Sequence, residues 1–156
     1  MSEPAKPAEP RWITQQTLFA IHAQQVERYG GAHGMVDANV VLSALARPIN
    51  RWSYDPADLA DLAAAYLARF ARSQGFRDGN RRTALACALV FLALNGEELH
   101  VPPAELYALT MAVAENRSDD VTVAAYLRDR LGARRASSDE SPPLTSPARP
   151  SRRRFS

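Results

Sequence analysis

Phe76-Arg77-Asp78-Gly79-Asn80-Arg81-Arg82-Thr83-Ala84 gathers a carboxylate, an amide and two consecutive guanidinium groups around one glycine, directly ahead of the apolar run Leu85–Leu94. Each residue type suits the binding of phosphate. Gly79 lets the backbone approach a ligand closely and adopt a conformation that a side chain would forbid. Asn80 stands where a helix should begin, able to cap free N–H groups or to bind a phosphate oxygen, and the N–H groups of that first turn point outward at the positive end of the dipole. Arg82 offers a planar fork matched to paired phosphate oxygens, and Arg81 a second charge. Asp78 among these cations fits a divalent metal, since one carboxylate plus nucleotide phosphates is a usual way to hold Mg²⁺. The bland alternative is a capping Asp78, a Gly79-Asn80 turn and solvated arginines. The residues alone leave these two readings level. Phe76 is expected to anchor the loop in the core, and Gln74, two residues upstream, stands where a proton-accepting histidine would make better chemical sense.

Six helices and no firm strand must position this loop. Thr14 caps a helix over Gln15–Tyr29, stopped by Gly30-Gly31. Asp37 caps a shorter one, Ala38–Ala46, ended by Pro48. Asp55-Pro56 reads as the start of a third that runs to about Ser73, with Leu59, Leu62, Ala63, Tyr66 and Phe70 on one face. The fourth, Arg81–Leu94, closes at Asn95-Gly96 and is apolar on nearly every side, which predicts a place at the centre of the fold. Pro102-Pro103 precedes Ala104–Glu115, and Ser118-Asp119-Asp120 caps a last helix over Asp119–Leu131 with Gly132 as its stop. Glu98–Val101 is the one candidate for extended backbone, in a small hairpin or β flap. The fold class is all-α.

A chain of 156 residues with 46% hydrophobic content suits one domain with a real core. No apolar stretch reaches the ~18–20 residues of a membrane span, and Met1–Pro10 lacks the apolar region of a secretory signal. A cytoplasmic location is therefore expected. Cys87, the lone cysteine, sits within the apolar run and is expected to be a small buried side chain. The segment 133–156 carries +4 of the total +2, so residues 1–132 hold −2. Residues 1–11 are read as a flexible N-terminus, 12–132 as the folded domain and 133–156 as a disordered basic Ser/Pro/Arg tail. No groove-reading motif accompanies the arginines of the tail, so nucleic-acid binding is not expected.

Gln74-Gly75-Phe76-Arg77-Asp78-Gly79-Asn80-Arg81-Arg82-Thr83 resembles the active-site motif of the Fic/Doc (Fido) superfamily, His-x-Phe-x-Asp/Glu-Gly-Asn-Lys/Gly-Arg. Ile21-His22, Gly30-Gly31, Gly34, Asp37 and Leu42–Pro48 resemble the upstream segment of Doc-type (death-on-curing) toxins. The helices flanking the loop match as well, so the resemblance spans about Trp12 to Arg130. It implies a compact Fido-type helical domain and, because Arg81 and Leu85 stand where adenylyl-transferring Fic enzymes carry glycine and a second arginine, Doc chemistry. That chemistry is transfer of the γ-phosphoryl group of ATP to a threonine of elongation factor Tu, which halts translation. A long cation in place of glycine crowds one phosphate pocket and can turn the nucleotide so that a different phosphate faces the acceptor.

Carried over by position, the resemblance gives catalytic roles to Gln74, Asp78 and Arg82, Mg²⁺ to Asp78, and ATP phosphates to Gly79, Asn80, Arg81 and Arg82. It implies a small antitoxin whose C-terminal segment covers a groove near the site, with Trp52, Tyr54 and Ala32–Val36 as candidates for that surface. Gln74 departs from the motif. An amide accepts a hydrogen bond from an incoming hydroxyl but takes no proton near neutral pH, and loss of a general base typically costs about 10²–10⁴-fold in rate. An introduced inactivating substitution, a natural loss of activity and an acceptor positioned without strong base help all remain open. So do two other functions, adenylyl transfer to a protein hydroxyl and a pseudoenzyme that only binds. Among the other histidines, His22 is expected to make a structural hydrogen bond, and none of His22, His33 and His100 has a spacing that puts it beside Phe76.

Overall fold

The computed structural model describes residues 8–140, with side chains as far as Gly132. Six helices follow one another: α1 (Gln15–Tyr29), α2 (Ala38–Tyr54), α3 (Leu59–Arg72), α4 (Asn80–Leu94), α5 (Pro103–Ala114) and α6 (Asp120–Glu140). The fold is all-α, as the sequence predicts. The centre, however, belongs to α3. It packs on α2, α4, α5 and α6, and ten of its fourteen residues are buried. Six alanines (60, 63, 64, 65, 68 and 71) let neighbours close on every side, around fully buried Leu62, Tyr66, Leu67 and Phe70. By contrast, α4 buries Ala84, Cys87, Ala88, Phe91 and Leu92 while its Leu85 and Leu89 side stays half-exposed. Continuous apolarity in α4 thus reflects one buried face and one half-covered face.

Two helix boundaries differ from expectation for local reasons. Pro48 lies inside α2, which runs on to Tyr54. A proline there removes one backbone hydrogen bond, but the helix after it is held on the core by buried Pro48 and half-buried Trp52. Asp55 is consequently the C-cap of α2, and Asp58 starts α3 through a capping box with Asp61. In the second case α6 continues through Gly132 to Glu140. One glycine costs a helix only about 1 kcal/mol, and helix-forming Ala133, Arg134, Arg135 and Ala136 follow it. Residues 1–7 and 141–156, with most of the expected tail, lie outside the described residues.

Glu98–Val101 is irregular backbone, not a strand. The extended pairing found among the described residues is a single antiparallel bridge between Met35 and Phe76, and no β flap forms at 98–101. No described helix is long and apolar enough to cross a membrane. Cys87 is buried as expected, and burial pushes its thiol up to about 12, so it stays protonated and inert near neutral pH.

Candidate functional site

The loop leaves α3 at Ser73, whose Oγ accepts the Gly75 N–H at 2.9 Å. Gly75 permits α2 to pass close by, since a Cβ there would stand 2.6 Å from Val41 Cγ2. Its carbonyl accepts the N–H groups of Val36 (2.8 Å) and Asp37 (3.1 Å), and the Arg77 N–H donates to Gly34 O at 2.9 Å. These bonds clamp the loop to the glycine-rich turn that follows α1. Phe76 is buried, as expected, with the His22 ring stacked on it at 3.8 Å and 11°.

Asp78 is aimed by groups from α1 and its turn. The Ala32 N–H donates to Asp78 Oδ2 at 2.7 Å. His22 Nε2 lies 2.7 Å from the Asp78 carbonyl oxygen, which only accepts, so Nε2 carries the proton. Gly31 makes the approach possible: at φ +113° it takes a conformation side chains disfavour, and a Cβ would sit 2.9 Å from Asp78 Cβ. Asp78 Oδ1 keeps no hydrogen-bond partner among the described residues.

Gly79, at φ 81° and ψ 16°, turns the chain into α4 with no side-chain cap. The N–H groups of Asn80, Arg81 and Arg82 are left to whatever occupies the space in front of them. That space is a cavity of about 500 Å³, lined by Gln74, Asp78, Gly79, Asn80, Arg81 and Arg82 together with Arg72, Arg77, Tyr29 and Tyr107. Four arginines thus face one carboxylate, and none of the four has an ion-pair partner among the described residues. The Arg82 guanidinium is clamped between two aromatic rings, 3.7 Å over Tyr29 and 4.7 Å over Tyr107. This restrains its rotation while leaving its charge uncompensated by any anion.

All six residues singled out in the sequence line this one cavity. Asn80, however, turns its amide on the loop: Oδ1 accepts the Phe76 N–H at 3.1 Å and Nδ2 donates to Phe76 O at 3.0 Å. It staples the loop shut, and its backbone N–H is what it offers a phosphate. His22 makes the structural hydrogen bond expected of it, yet it lies against Phe76, where spacing placed no histidine. Being buried and committed to Asp78 O, it is not aimed at the cavity. Ala32–Val36 does border the loop, whereas Trp52 packs edge-to-face on Trp12, which stacks on Phe91 well along α4. Trp52 and the neighbouring Tyr54 therefore lie away from the loop. Tyr29, Tyr107, Arg72 and Arg77 went unread in the sequence. Tyr29 had one signal, an aromatic ending a helix just before Gly30-Gly31, but long-range packing alone brings Tyr107 to Arg82.

No group of three His, Cys, Asp or Glu side chains forms a metal cluster among the described residues. Asp78 Oδ1 fits a divalent cation whose other oxygens come from a bound polyphosphate and water. The arrangement suits a nucleotide triphosphate: open amides at a helix start, a surplus of arginine and a single preset carboxylate.

Comparison with known proteins bears on the same segment. The Fic/DOC family model matches residues 12–92, from ahead of α1 to near the end of α4. Over 124 residues the chain is 37% identical to Protein kinase doc of Escherichia phage P1, covering 79% of this chain and 98% of that protein. With the glycine-rich turn, α3, the signature loop and most of α4 inside the matched region, the chain belongs to the Fic/DOC family.

Proposed function

We propose that this protein is a Doc-type toxin of a toxin–antitoxin pair and acts as a protein kinase, moving the γ-phosphoryl group of ATP to a threonine of elongation factor Tu. The carrying observation is the cavity itself, where uncapped α4 amides and four arginines without ion pairs among the described residues share the lining with Asp78. Phosphoryl transfer calls for placement and charge neutralisation more than for covalent participation by the protein. In this reading the α4 amides and Arg82 hold phosphate oxygens, Arg81 sets the orientation of the nucleotide, and Asp78 holds Mg²⁺, which supplies further neutralisation of phosphate charge. The threonine oxygen forms the new bond to the γ-phosphorus as the bond to the ADP oxygen breaks. Gln74 accepts a hydrogen bond from the threonine hydroxyl, whose proton passes to water. Without a basic side chain at position 74 the rate is impaired. An antitoxin segment laid over the cavity mouth beside Ala32–Val36 would exclude the nucleotide.

Purified elongation factor Tu, incubated with this chain and ATP labelled at either the γ- or the α-phosphate, tests the reading. Label from the γ position on a threonine is the expected outcome. Label from the α position would replace it with adenylyl transfer. Absence of label from both, with Gln74→His as well as the chain carrying Gln74, would leave a protein that only binds.

A further inference from the structure

Gln74 stands between two cavities. Beyond the nucleotide-sized one, a second of about 490 Å³ shares Arg72, Ser73 and Gln74 with it and opens between α2 and α3. Its walls are helical rows: Val40 and Arg47 from α2, and Ala65, Ala68, Arg69 and Arg72 from one face of α3, with Asp120 at the start of α6. Small alanines form the floor, leaving room for a chain to lie there. Its charge is predominantly positive, three arginines against Asp120. Arg69 donates to Ser43 Oγ at 3.2 Å and Arg72 to the Ser118 carbonyl at 3.1 Å, both neutral acceptors. Asp119 lies near Arg72 and Asp120 is the one carboxylate in the lining, and Arg47 has no hydrogen bond or ion pair among the described residues. At the far side of α6 and α5, by contrast, Arg128 is paired with Asp58 and Asp61 and Arg130 with Glu105. Beside the groove, Met35, Val36 and Val40 leave apolar surface exposed.

We propose that this second cavity is the docking groove for the acceptor polypeptide, and that it selects a segment bearing Asp or Glu within a few residues of the hydroxyl that receives the phosphate. This rests on the kinase reading above. A nucleotide filling the first cavity leaves the second as the open approach to Gln74, so the hydroxyl arrives from the α2–α3 side. Arg47 and Arg69 then meet a carboxylate on the same segment, because an extended chain advances about 3.3–3.6 Å per residue and a few residues span the groove. Apolar residues of the segment cover Met35, Val36 and Val40. The chain's own C-terminal segment, with Arg149 and Arg152-Arg153-Arg154, carries the wrong charge to fill this groove.

The test uses the full chain carrying Gln74→His and three pools of fluorescent threonine-centred nonapeptides, with acidic, neutral or basic residues flanking the threonine. In fluorescence anisotropy the acidic pool should bind about tenfold more tightly than the basic one, with the advantage shrinking as salt is raised. The charge reversal Arg47→Glu/Arg69→Glu should invert that order while leaving Mg·ATP affinity in place. Arg47→Glu alone, at an exposed position, should weaken acidic-pool binding several-fold even if the double variant folds poorly. Transfer from γ-labelled ATP should rank the pools in the same order. Equal binding of the pools, an order untouched by charge reversal, or preference for single-stranded oligothymidylate over the acidic pool would each overturn the groove. Acid-selective binding without transfer would remove the kinase and keep the groove; transfer without acid preference would do the reverse.

Discussion

Two helices of this molecule begin in opposite ways. The start of α3 is self-contained: Asp58 accepts the Asp61 N–H at 2.8 Å, Asp61 returns the bond to the Asp58 N–H at 3.1 Å, and Arg128 binds both carboxylates from α6. The start of α4 has no cap, a left-handed glycine in the capping position, and arginines without anions. Both must launch a buried helix. One satisfies its amides within the chain, and the other leaves them open beside a cavity. Polar groups that find every partner within the protein support the fold, and those held in place without partners are available to a ligand.

The largest expected effect sharpens the contrast on the α4 side. Gln74→His should raise γ-phosphoryl transfer about 10²–10⁴-fold, read as label incorporated per minute into elongation factor Tu. Adding Asp78→Ala to it should abolish the gain. Gly31→Ala comes next, because its Cβ would stand 2.9 Å from Asp78 Cβ at a backbone conformation side chains disfavour. The strain costs about 1–3 kcal/mol. Isothermal titration should show Mg·ATP affinity falling by about tenfold, and an unchanged affinity would mean that Asp78 is not aimed by the turn. Tyr107→Ala should follow, removing one ring of the Arg82 clamp at about 0.5–2 kcal/mol. Tyr107→Phe should restore nucleotide affinity, since the ring face carries the interaction.

The smallest effect on the site tests the other helix start. Asp58→Ala removes the cap of α3 and should cost about 0.5–2 kcal/mol of stability with Mg·ATP affinity intact, by denaturant titration and calorimetry respectively. The hydrogen bond from Arg128, aided by the Asp61 contacts, holds the Asp58 carboxyl from its ordinary 3.8 down to about 2. A carboxyl lowered in the folded state stabilises fully above its unfolded value and loses that contribution as pH falls through the folded one. Acid unfolding of the parent chain between about pH 4 and 2 should therefore flatten in Asp58→Ala.

Helix number and order were legible in the sequence because caps, prolines and apolar periodicity are local signals. Gln15–Tyr29 could be placed from Thr14 and Gly30 alone. Where the chain departed from expectation, a distant contact decided. Pro48 is tolerated because α2 is held on the core past it, and the central position of α3 depends on alanines whose value shows only once four neighbours surround them. At the site, residue types were enough to assemble Gln74, Asp78, Gly79, Arg81 and Arg82 around one point. They did not reveal that Asn80 would spend its amide on Phe76, nor that His22 would reach Asp78 across 56 positions. The first depends on the path of the loop itself, and the second on how α1 lies on α4, which no spacing rule encodes.

The helix α1 packs chiefly on α4 and adds Leu18 and Ile21 to the edge of the core, yet it and the turn behind it supply His22, Tyr29, Gly31 and the Ala32 amide. Competence is thus mounted on a helix that joins the others chiefly along one seam. Sub-global opening of that single seam would free Asp78 and unclamp Arg82 without denaturing the domain. Amide exchange in the native state should show α1 as an early-opening unit relative to α3, and bound Mg·ATP should slow its exchange, because a ligand that requires α1 in place lends it part of its binding energy.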